Sequence, residues 1–410
     1  MLPPILEIYV VWHPNDTPGS SVAEALLEHF RGNAYSGLIG GAIDVYIRSQ
    51  SISGVPADAP ASIPVIEPPP YGLAVPAFTA VLVVAGSELA SAVEEHGPWR
   101  EYVEAISAAQ KTQPDSVAVF PVTVARLALS NTHLGAVVGG QQQVAADGWG
   151  RPGFEETLCR DLGQGVAQMV DPAHQRLSVF ISHTKRRTVT EEGEVSRLVD
   201  LVRQVIAGTR LQDFFDAADL QPGEDWAPRL IEEAARGALL ALRTDLYSSR
   251  AWCQREVVTA KRHGVPVVVL DALTEGEERG SFLMDHVPRV PGRRDPEGWQ
   301  ESAVRRALNQ LADECLKRAL WRAQLRIGRG ALNVDIDWWA DHAPEPLTFA
   351  EWLDKEVDRD AKSHEPIIIL HPDPPLGSDE RDVLVQIARL SGLVGPIEFL
   401  TPRGLAVHGG

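Results

Sequence analysis

The sequence predicts an α/β protein in which largely parallel sheets are flanked by helices. Three observations predict this class. Short runs rich in β-branched residues alternate with amphipathic stretches, the joints between them are short, and the alternation occurs twice along the 410 residues. A strand followed by a helix and another strand favours parallel pairing, so each series is typical of a flavodoxin-like layer.

The second series, residues 176–320, has the clearer pattern. We predict buried strands at "RLSVFISHT", "LQDFFD", "ALLALRTD" and "VPVVVLDAL". Helices are predicted between them at "EEGEVSRLVDLVRQVIAG", "DWAPRLIEEAARG" and "SSRAWCQREVVTAKRHG", and glycine ends each of these segments. Strand and helix thus alternate four times, as one complete α/β layer requires.

The first series, about residues 5–170, repeats this rhythm, and we interpret the two series as divergent tandem copies of one unit. Residues 51–76 are rich in proline, serine and alanine, which predicts an irregular surface loop. A smaller C-terminal piece has a strand, a helix and another strand. The predicted domains are therefore 1–172, 173–322 and a small α/β module at 323–410.

Composition limits the partners and the compartment. No run of 18 apolar residues occurs and the N-terminus lacks the pattern of a signal peptide, so we expect a cytoplasmic protein without a membrane span. Three widely spaced cysteines predict neither disulfides nor a metal site. The net charge of -18 repels phosphate backbones, so no direct binding of nucleic acid is expected.

Three segments of the second series carry a resemblance. They are "VFISHT" at 179–184, "FFDAADLQPGEDW" at 214–226 and "YSSRAWCQRE" at 247–256, in this order within about 80 residues. Together they resemble the first-strand box, the second strand with its loop, and the Trp-Cys-x-x-Glu helix of the Toll/interleukin-1 receptor (TIR) domain family. The resemblance covers about 145 of the 410 residues, and the first series resembles a degenerate copy.

The resemblance implies either a signalling scaffold or an enzyme that cleaves the nicotinamide–ribose bond of NAD, as many bacterial immune TIR domains do. In such enzymes the glutamate of the Trp-Cys-x-x-Glu segment is catalytic, and here it is Glu256. NAD is then the substrate, with no other cofactor and no metal. Family position also implies a homo-oligomer and a cleft bordered by four further residues: Ser182, His183, Asp216 and Trp226.

The chemistry of NAD is compatible with a single carboxylate. Ordinary glycoside hydrolysis needs a general acid to protonate the leaving group. Nicotinamide leaves as a neutral molecule from a cationic ring, so a single carboxylate that orients the ribose and stabilises positive charge is sufficient. Trp252 and Glu256 are four residues apart on a predicted helix and share a face, and the turn containing Ser248 precedes that helix, where it is expected to meet diphosphate oxygens.

Simpler interpretations remain open. Glu256 is also compatible with a solvated surface charge, and Trp252 with an ordinary core residue. The first series has Val103 four residues after Trp99, which predicts a copy without the chemistry. The alternatives to an NAD glycohydrolase or cyclase are a TIR scaffold without activity and a sensor that binds an ADP-ribose-like nucleotide. The sequence does not choose between hydrolysis and cyclisation.

Overall fold

The computed structural model describes residues 5–32, 35, 43–67, 75–145, 148–171, 177–184, 189–216, 237–277, 279–296, 298–331, 335–355, 366–393, 395–402 and 404–405. Its contacts divide the chain into two compact units. The first comprises residues 1–172 with 322–331, and the second comprises 173–321 with 332–410. The C-terminal module that the sequence separates at residue 323 thus belongs to the same unit as the second series, and the division into three domains stays a prediction.

The first unit is built on a parallel sheet with helices around it. Its strands are joined in the order β2-β1-β3-β4, and every described pairing is parallel. The elements in chain order are β1 (Leu6–Val11), α1 (Pro18–Arg31), β2 (Ile43–Arg48), β3 (Phe78–Ala85), α2 (Ser87–Glu94), α3 (Pro98–Thr112), β4 (Val117–Thr123), α4 (His133–Val138) and α5 (Phe154–Val170).

Burial explains why these segments form strands. The first strand is buried along its whole length, and β3 is buried after its first residue. Strands covered by helices on both faces have such continuous apolar runs. Residues 49–67, between β2 and β3, contain neither helix nor strand and are mostly exposed, which confirms the irregular loop for the part that the structure describes.

The second unit contains a larger parallel sheet in the order β6-β5-β7-β8-β9 and a small parallel sheet in the order β12-β13-β14. Its elements are β5 (Ser178–Ser182), α6 (Val189–Ala207), β6 (Gln212–Asp216), β7 (Gly237–Arg243), α7 (Ala251–Arg262), β8 (Val267–Asp271), β9 (Arg289–Pro291), β10 (Arg294–Asp295), β11 (Gly298–Trp299), α8 (Glu301–Ala331), β12 (Trp338–Trp339), α9 (Pro346–Lys355), β13 (Ile367–Leu370), α10 (Ser378–Leu390) and β14 (Ile397–Leu400). The last part of α8, residues 322–331, is assigned to the first unit.

Several elements of the second unit were not predicted, among them β9 and the full length of α8. The fifth strand of the larger sheet, β9, has only three residues and lacks an apolar run. The helix α8 has 31 residues, and the predicted boundary at residue 322 lies inside it. Its N-terminal half packs Val304, Leu308 and Leu311 into the core below the larger sheet, so this part of the helix belongs to the layer.

The structure confirms the α/β class with parallel sheets flanked by helices. The larger sheet places its strands in the order 2-1-3-4-5, counted along that unit, and the first unit has the order 2-1-3-4. The order 2-1-3-4-5 is that of a flavodoxin-like layer, whose ligands bind beyond the carboxyl ends of the strands. None of the helices in the described ranges combines the length and the apolar character needed to cross a bilayer.

Candidate functional site

The candidate site lies at the carboxyl edge of the larger sheet. Ser182, Asp216, Arg243 and Asp271 are the last residues of four neighbouring parallel strands, β5 to β8. Parallel strands end at the same edge, so the backbone of these four residues meets there. Open α/β sheets bind ligands in this position.

Glu256 extends from α7 into this edge and is almost completely buried, with 1% of its surface exposed. The hydroxyl group of Ser182 donates a hydrogen bond to Oε2 of Glu256, and the same hydroxyl oxygen lies 2.6 Å from the hydroxyl oxygen of Tyr247. Because Ser182 gives its only proton to Glu256, Tyr247 must donate to Ser182. The three side chains therefore form one buried chain of hydrogen bonds. The alternative of a solvated surface charge is wrong for Glu256.

Tyr247 keeps its proton in this chain. It is fully buried, and burial, followed by the nearby Cys253 and Glu256, raises the pKa of its hydroxyl well above the usual value. A neutral tyrosine is a reliable donor, so the orientation of the Ser182 hydroxyl towards Glu256 is fixed. The carboxyl group of Glu256 is consequently held in one position.

The aromatic neighbour of Glu256 is Trp252, one helical turn earlier. Trp252 is half-buried and packs against the apolar cluster that contains Phe180, Tyr247 and Cys253. Cys253 itself is buried, and its Sγ atom lies 3.7 Å from the carbonyl oxygen of His183. The thiol therefore contributes packing between α7 and the end of β5, as expected for a buried cysteine.

His183 follows β5 directly and is also buried. Its Nδ1 atom donates to the carbonyl oxygen of Thr184 at 3.1 Å, and the hydroxyl groups of Thr184 and Thr244 are 3.4 Å apart. The contact between Thr184 and Thr244 joins the ends of β5 and β7. His183 lies at the predicted edge, beside this contact.

Ser248 lies next to Tyr247 in a short 3₁₀ turn before α7, but its hydroxyl group is directed to a different carboxylate. It donates to Oε1 of Glu277, and Arg243 donates to both oxygens of the same group, with Nε at 2.7 Å from Oε1. Burial raises the pKa of Glu277, but the hydrogen bonds from Arg243 and Ser248 and the charge of Arg243 outweigh it, so the pKa is lowered. Glu277 is therefore held as an anion.

Two sequence-predicted residues are placed only in part or not at all. Asp216 ends β6, which brings its backbone to the edge through the parallel register with Ile181. Trp226 lies outside the described residues. Of the predicted set, the structure therefore brings Ser182 and Glu256 into contact and places Trp252 on the same helix. Ser248 does not take part in this contact, but it is the chain neighbour of Tyr247, which does.

Three residues of the edge were missed from the sequence: Tyr247, Arg243 and Glu277. Tyr247 begins the segment "YSSRAWCQRE", and an aromatic hydroxyl immediately before the predicted helix was the available signal. Arg243 is a charged residue at the end of an apolar strand, which is also a detectable pattern. Glu277 follows in a polar loop, and nothing in its neighbourhood distinguishes it from Glu275.

No cluster of three or more His, Cys, Asp or Glu side chains that could hold a metal ion occurs in the described part of the chain. Comparison with known proteins adds no identification. No protein-family model matches the chain, and no curated protein is significantly similar to it. Two observations therefore bear on function: the geometry of the site and the resemblance of the three segments.

Proposed function

We propose that the second unit is a TIR-type enzyme that cleaves the nicotinamide–ribose bond of NAD, with Glu256 as the catalytic residue. The observation that carries this proposal is the burial of Glu256 at the carboxyl edge of a sheet of order 2-1-3-4-5, in a hydrogen bond from Ser182. A carboxyl group is expensive to bury, so a surface helix would not retain it for packing alone. The first unit is then a degenerate TIR-like copy.

The reaction requires only what this edge offers. Glu256 would orient the ribose hydroxyls and stabilise the positive charge that develops as neutral nicotinamide departs. Ser182 and Tyr247 would hold the carboxyl group in position, so little reorganisation is needed during the reaction. Trp252 would wall the nicotinamide side. Once the bond to nicotinamide has broken, water would bond to the ribose carbon and release a proton, which gives ADP-ribose, or an adenine nitrogen would bond to it, which gives a cyclic product.

The context of the activity belongs to the same proposal. We infer a cytoplasmic protein that assembles into a homo-oligomer through its TIR domains, depletes NAD or produces a nucleotide signal in bacterial antiviral defence, and has no direct contact with nucleic acid. Support comes from the resemblance and from the net charge of -18. Activity should then rise with protein concentration, because neighbouring protomers complete the pocket.

The decisive experiment compares wild-type protein with Glu256→Gln and Glu275→Gln. Both variants remove one carboxylate, but Glu275 is an exposed loop residue at the same end of the unit and serves as the control. Released nicotinamide and its partner product are separated by chromatography at several protein concentrations. We expect Glu256→Gln to lower turnover by at least about a hundredfold with an unchanged circular dichroism spectrum, and Glu275→Gln to match the wild type.

Other outcomes of this experiment distinguish the alternatives. Equal turnover of the wild type and Glu256→Gln would show that Glu256 is not catalytic. NAD or ADP-ribose that binds tightly and is recovered intact would favour the nucleotide sensor. Absence of both binding and turnover at every concentration tested would favour the scaffold.

A further inference from the structure

A second carboxylate is held at the same edge by groups suited to a phosphate. Arg243 directs Nε and Nη2 to the two oxygens of Glu277, and Ser248 adds its hydroxyl group. The side chains of Arg243 and Glu277 are 13% and 10% exposed. A guanidinium fork with one hydroxyl donor matches the oxygens of a carboxylate and of a phosphate equally well.

The position of this group relates it to Glu256. Ser248 and Tyr247 are adjacent residues of one 3₁₀ turn, and Tyr247 bonds Ser182, which bonds Glu256. One turn therefore supports both carboxyl groups, each through a hydroxyl donor. A ligand whose ribose reaches Glu256 would carry its diphosphate along the same edge of the sheet.

Glu277 is brought to Arg243 by a loop that a different acid anchors. Oδ1 and Oδ2 of Asp245 accept hydrogen bonds from the backbone N–H groups of Thr274, Glu275 and Gly276, at 2.9, 3.0 and 3.2 Å, and from the Thr274 hydroxyl at 2.5 Å. Asp245 lies two residues after Arg243 on the chain. Two residues at the end of β7 thus hold this loop. Asp245 binds its backbone, and Arg243 binds the carboxylate of Glu277.

We propose that Arg243 and Ser248 form a subsite for the diphosphate of the ligand, and that Glu277 occupies this subsite as an internal competitor. The identification of the ligand as NAD rests on the proposed function, whereas the anion subsite does not. A diphosphate-containing nucleotide binds by displacing the Glu277 carboxylate from Arg243 and Ser248. The exchange replaces one set of charge-assisted hydrogen bonds with another.

The surroundings of Arg243 explain why the site would favour exchange over simple addition. Asp271 lies 3.5 Å from Nη1 of Arg243, so this arginine already faces two carboxylates. A diphosphate that approached with Glu277 still in place would meet two negative groups around one positive group. Displacement of Glu277 removes one of them, so the affinity of the wild type is lowered by the competition.

The test measures binding of ADP, which contains the diphosphate and has no nicotinamide bond to cleave. Calorimetry is performed on the full chain for the wild type, Glu277→Gln and Glu275→Gln. The two variants change the net charge equally, but the Glu275 side chain is exposed. We expect ADP to bind Glu277→Gln at least about tenfold more tightly than the wild type, with Glu275→Gln unchanged.

Two further variants complete the design. Arg243→Lys in the Glu277→Gln background keeps the charge and removes the fork, so it should reverse most of the gain. Asp245→Asn loosens the loop and should give a smaller gain of about threefold, which preserves the test if Glu277→Gln does not fold. Equal affinities of the wild type, Glu277→Gln and Asp245→Asn for ADP would overturn the proposal, as would an Arg243→Lys variant that retains the full gain.

The outcomes separate this proposal from the NAD cleavage. Tighter binding of ADP to Glu277→Gln, without any turnover of NAD, would sustain the subsite and reject the enzyme. If NAD turnover requires Glu256 but ADP binds the wild type and Glu277→Gln equally well, the enzyme is sustained and the subsite is rejected.

Discussion

Val103 in the first unit and Glu256 in the second occupy the same point of two similar helices. Each is the sixth residue of the helix before the fourth strand, α3 or α7, and each follows a tryptophan by four residues. Both are buried, with 0% and 1% of their surface exposed. The helix before the fourth strand of a parallel sheet therefore forms with either an apolar or an acidic residue at this point, and the acid is not needed to form the helix.

The two side chains differ in what they require from their neighbours. Burial of a valine is favourable by about 1.5–3 kcal/mol, whereas burial of a carboxyl group without hydrogen bonds costs several kcal/mol. The second unit meets this cost with Ser182 and Tyr247. In the first unit the indole N–H of Trp99 donates a 2.9 Å hydrogen bond to the carbonyl oxygen of Pro56, and Val103 belongs to the apolar core cluster.

The two strand edges also use their acids differently. In the first unit Asp16 accepts hydrogen bonds from the backbone N–H groups of Glu88 and Leu89 at 3.0 and 2.8 Å, which caps α2 at the end of β3. A Cβ atom on Gly86 would lie 2.2 Å from this carboxyl group, so glycine is needed there. Asp16 is therefore bound by the backbone of α2, whereas Glu277 in the second unit is bound by the side chains of Arg243 and Ser248.

The largest expected effect is that of moving the acid to the other unit. Val103→Glu places a carboxyl group in an apolar core without the hydroxyl donors that surround Glu256, and it should destabilise the protein by at least about 3 kcal/mol. Ala108→Glu on the exposed side of α3 is the control and should cost less than about 0.5 kcal/mol. Denaturant unfolding measures both. Similar stabilities of the two variants would show that Val103 is not an apolar counterpart of Glu256.

The next largest effect is expected from removing the hydroxyl groups that support Glu256. Ser182→Ala removes the hydrogen bond to buried Glu256 and should cost about 1–3 kcal/mol in unfolding free energy and most of the NAD turnover. Tyr247→Phe should cost about 1 kcal/mol and lower turnover less.

The matched control in the first unit is Tyr102→Phe, which removes a 3.2 Å bond to the carbonyl oxygen of Ala61. It should lower stability by a similar amount and leave turnover unchanged. If Tyr102→Phe and Tyr247→Phe change turnover equally, the hydroxyl chain has no special relation to Glu256.

The sequence predicted the parts of this comparison that depend on periodicity. The apolar runs were sufficient for the four strands of the sheet in the first unit and for four of the five strands of the larger sheet in the second. The offset of four residues was sufficient to place Trp252 and Glu256 on one helical face. The short strand β9 and the link from Glu277 to Arg243 were not predictable, because neither has a periodic pattern. The second connects residues 34 positions apart through side chains alone.

A smaller effect is expected at the helix cap of the first unit. Asp16→Ala removes both hydrogen bonds to the N-terminus of α2 and should destabilise the protein by about 1–2 kcal/mol. ADP binding should not change, because this acid has a structural role. Asp245→Asn in the second unit should instead alter ADP binding. A change in ADP affinity on Asp16→Ala would remove the distinction between the two edges.

The smallest effect is a difference in the pH dependence of the two units. Burial raises the pKa of Glu7 in β1, although the hydrogen bond from Tyr9 opposes it, so the folded protein takes up this proton more readily than the unfolded chain. Stability from Glu7 therefore increases as the pH falls from the raised pKa towards 4.5 and is lost as the pH rises again. Burial raises the pKa of Asp245, but the hydrogen bonds from Thr274 and the loop backbone outweigh it, so the pKa is lowered. The contribution of Asp245 to stability is therefore lost as the pH falls below 3.8.

Glu7→Gln and Asp245→Asn should consequently diverge in acid. The thermal midpoint of the wild type should rise relative to Glu7→Gln as the pH is lowered from about 7 to about 4.5, because the wild-type carboxyl group becomes neutral. The advantage of the wild type over Asp245→Asn should shrink only at lower pH, when Asp245 is protonated in the folded protein. The difference in thermal midpoint between wild type and variant should therefore change with pH in opposite directions for Glu7→Gln and Asp245→Asn. A change in the same direction would contradict a raised pKa for Glu7 and a lowered pKa for Asp245.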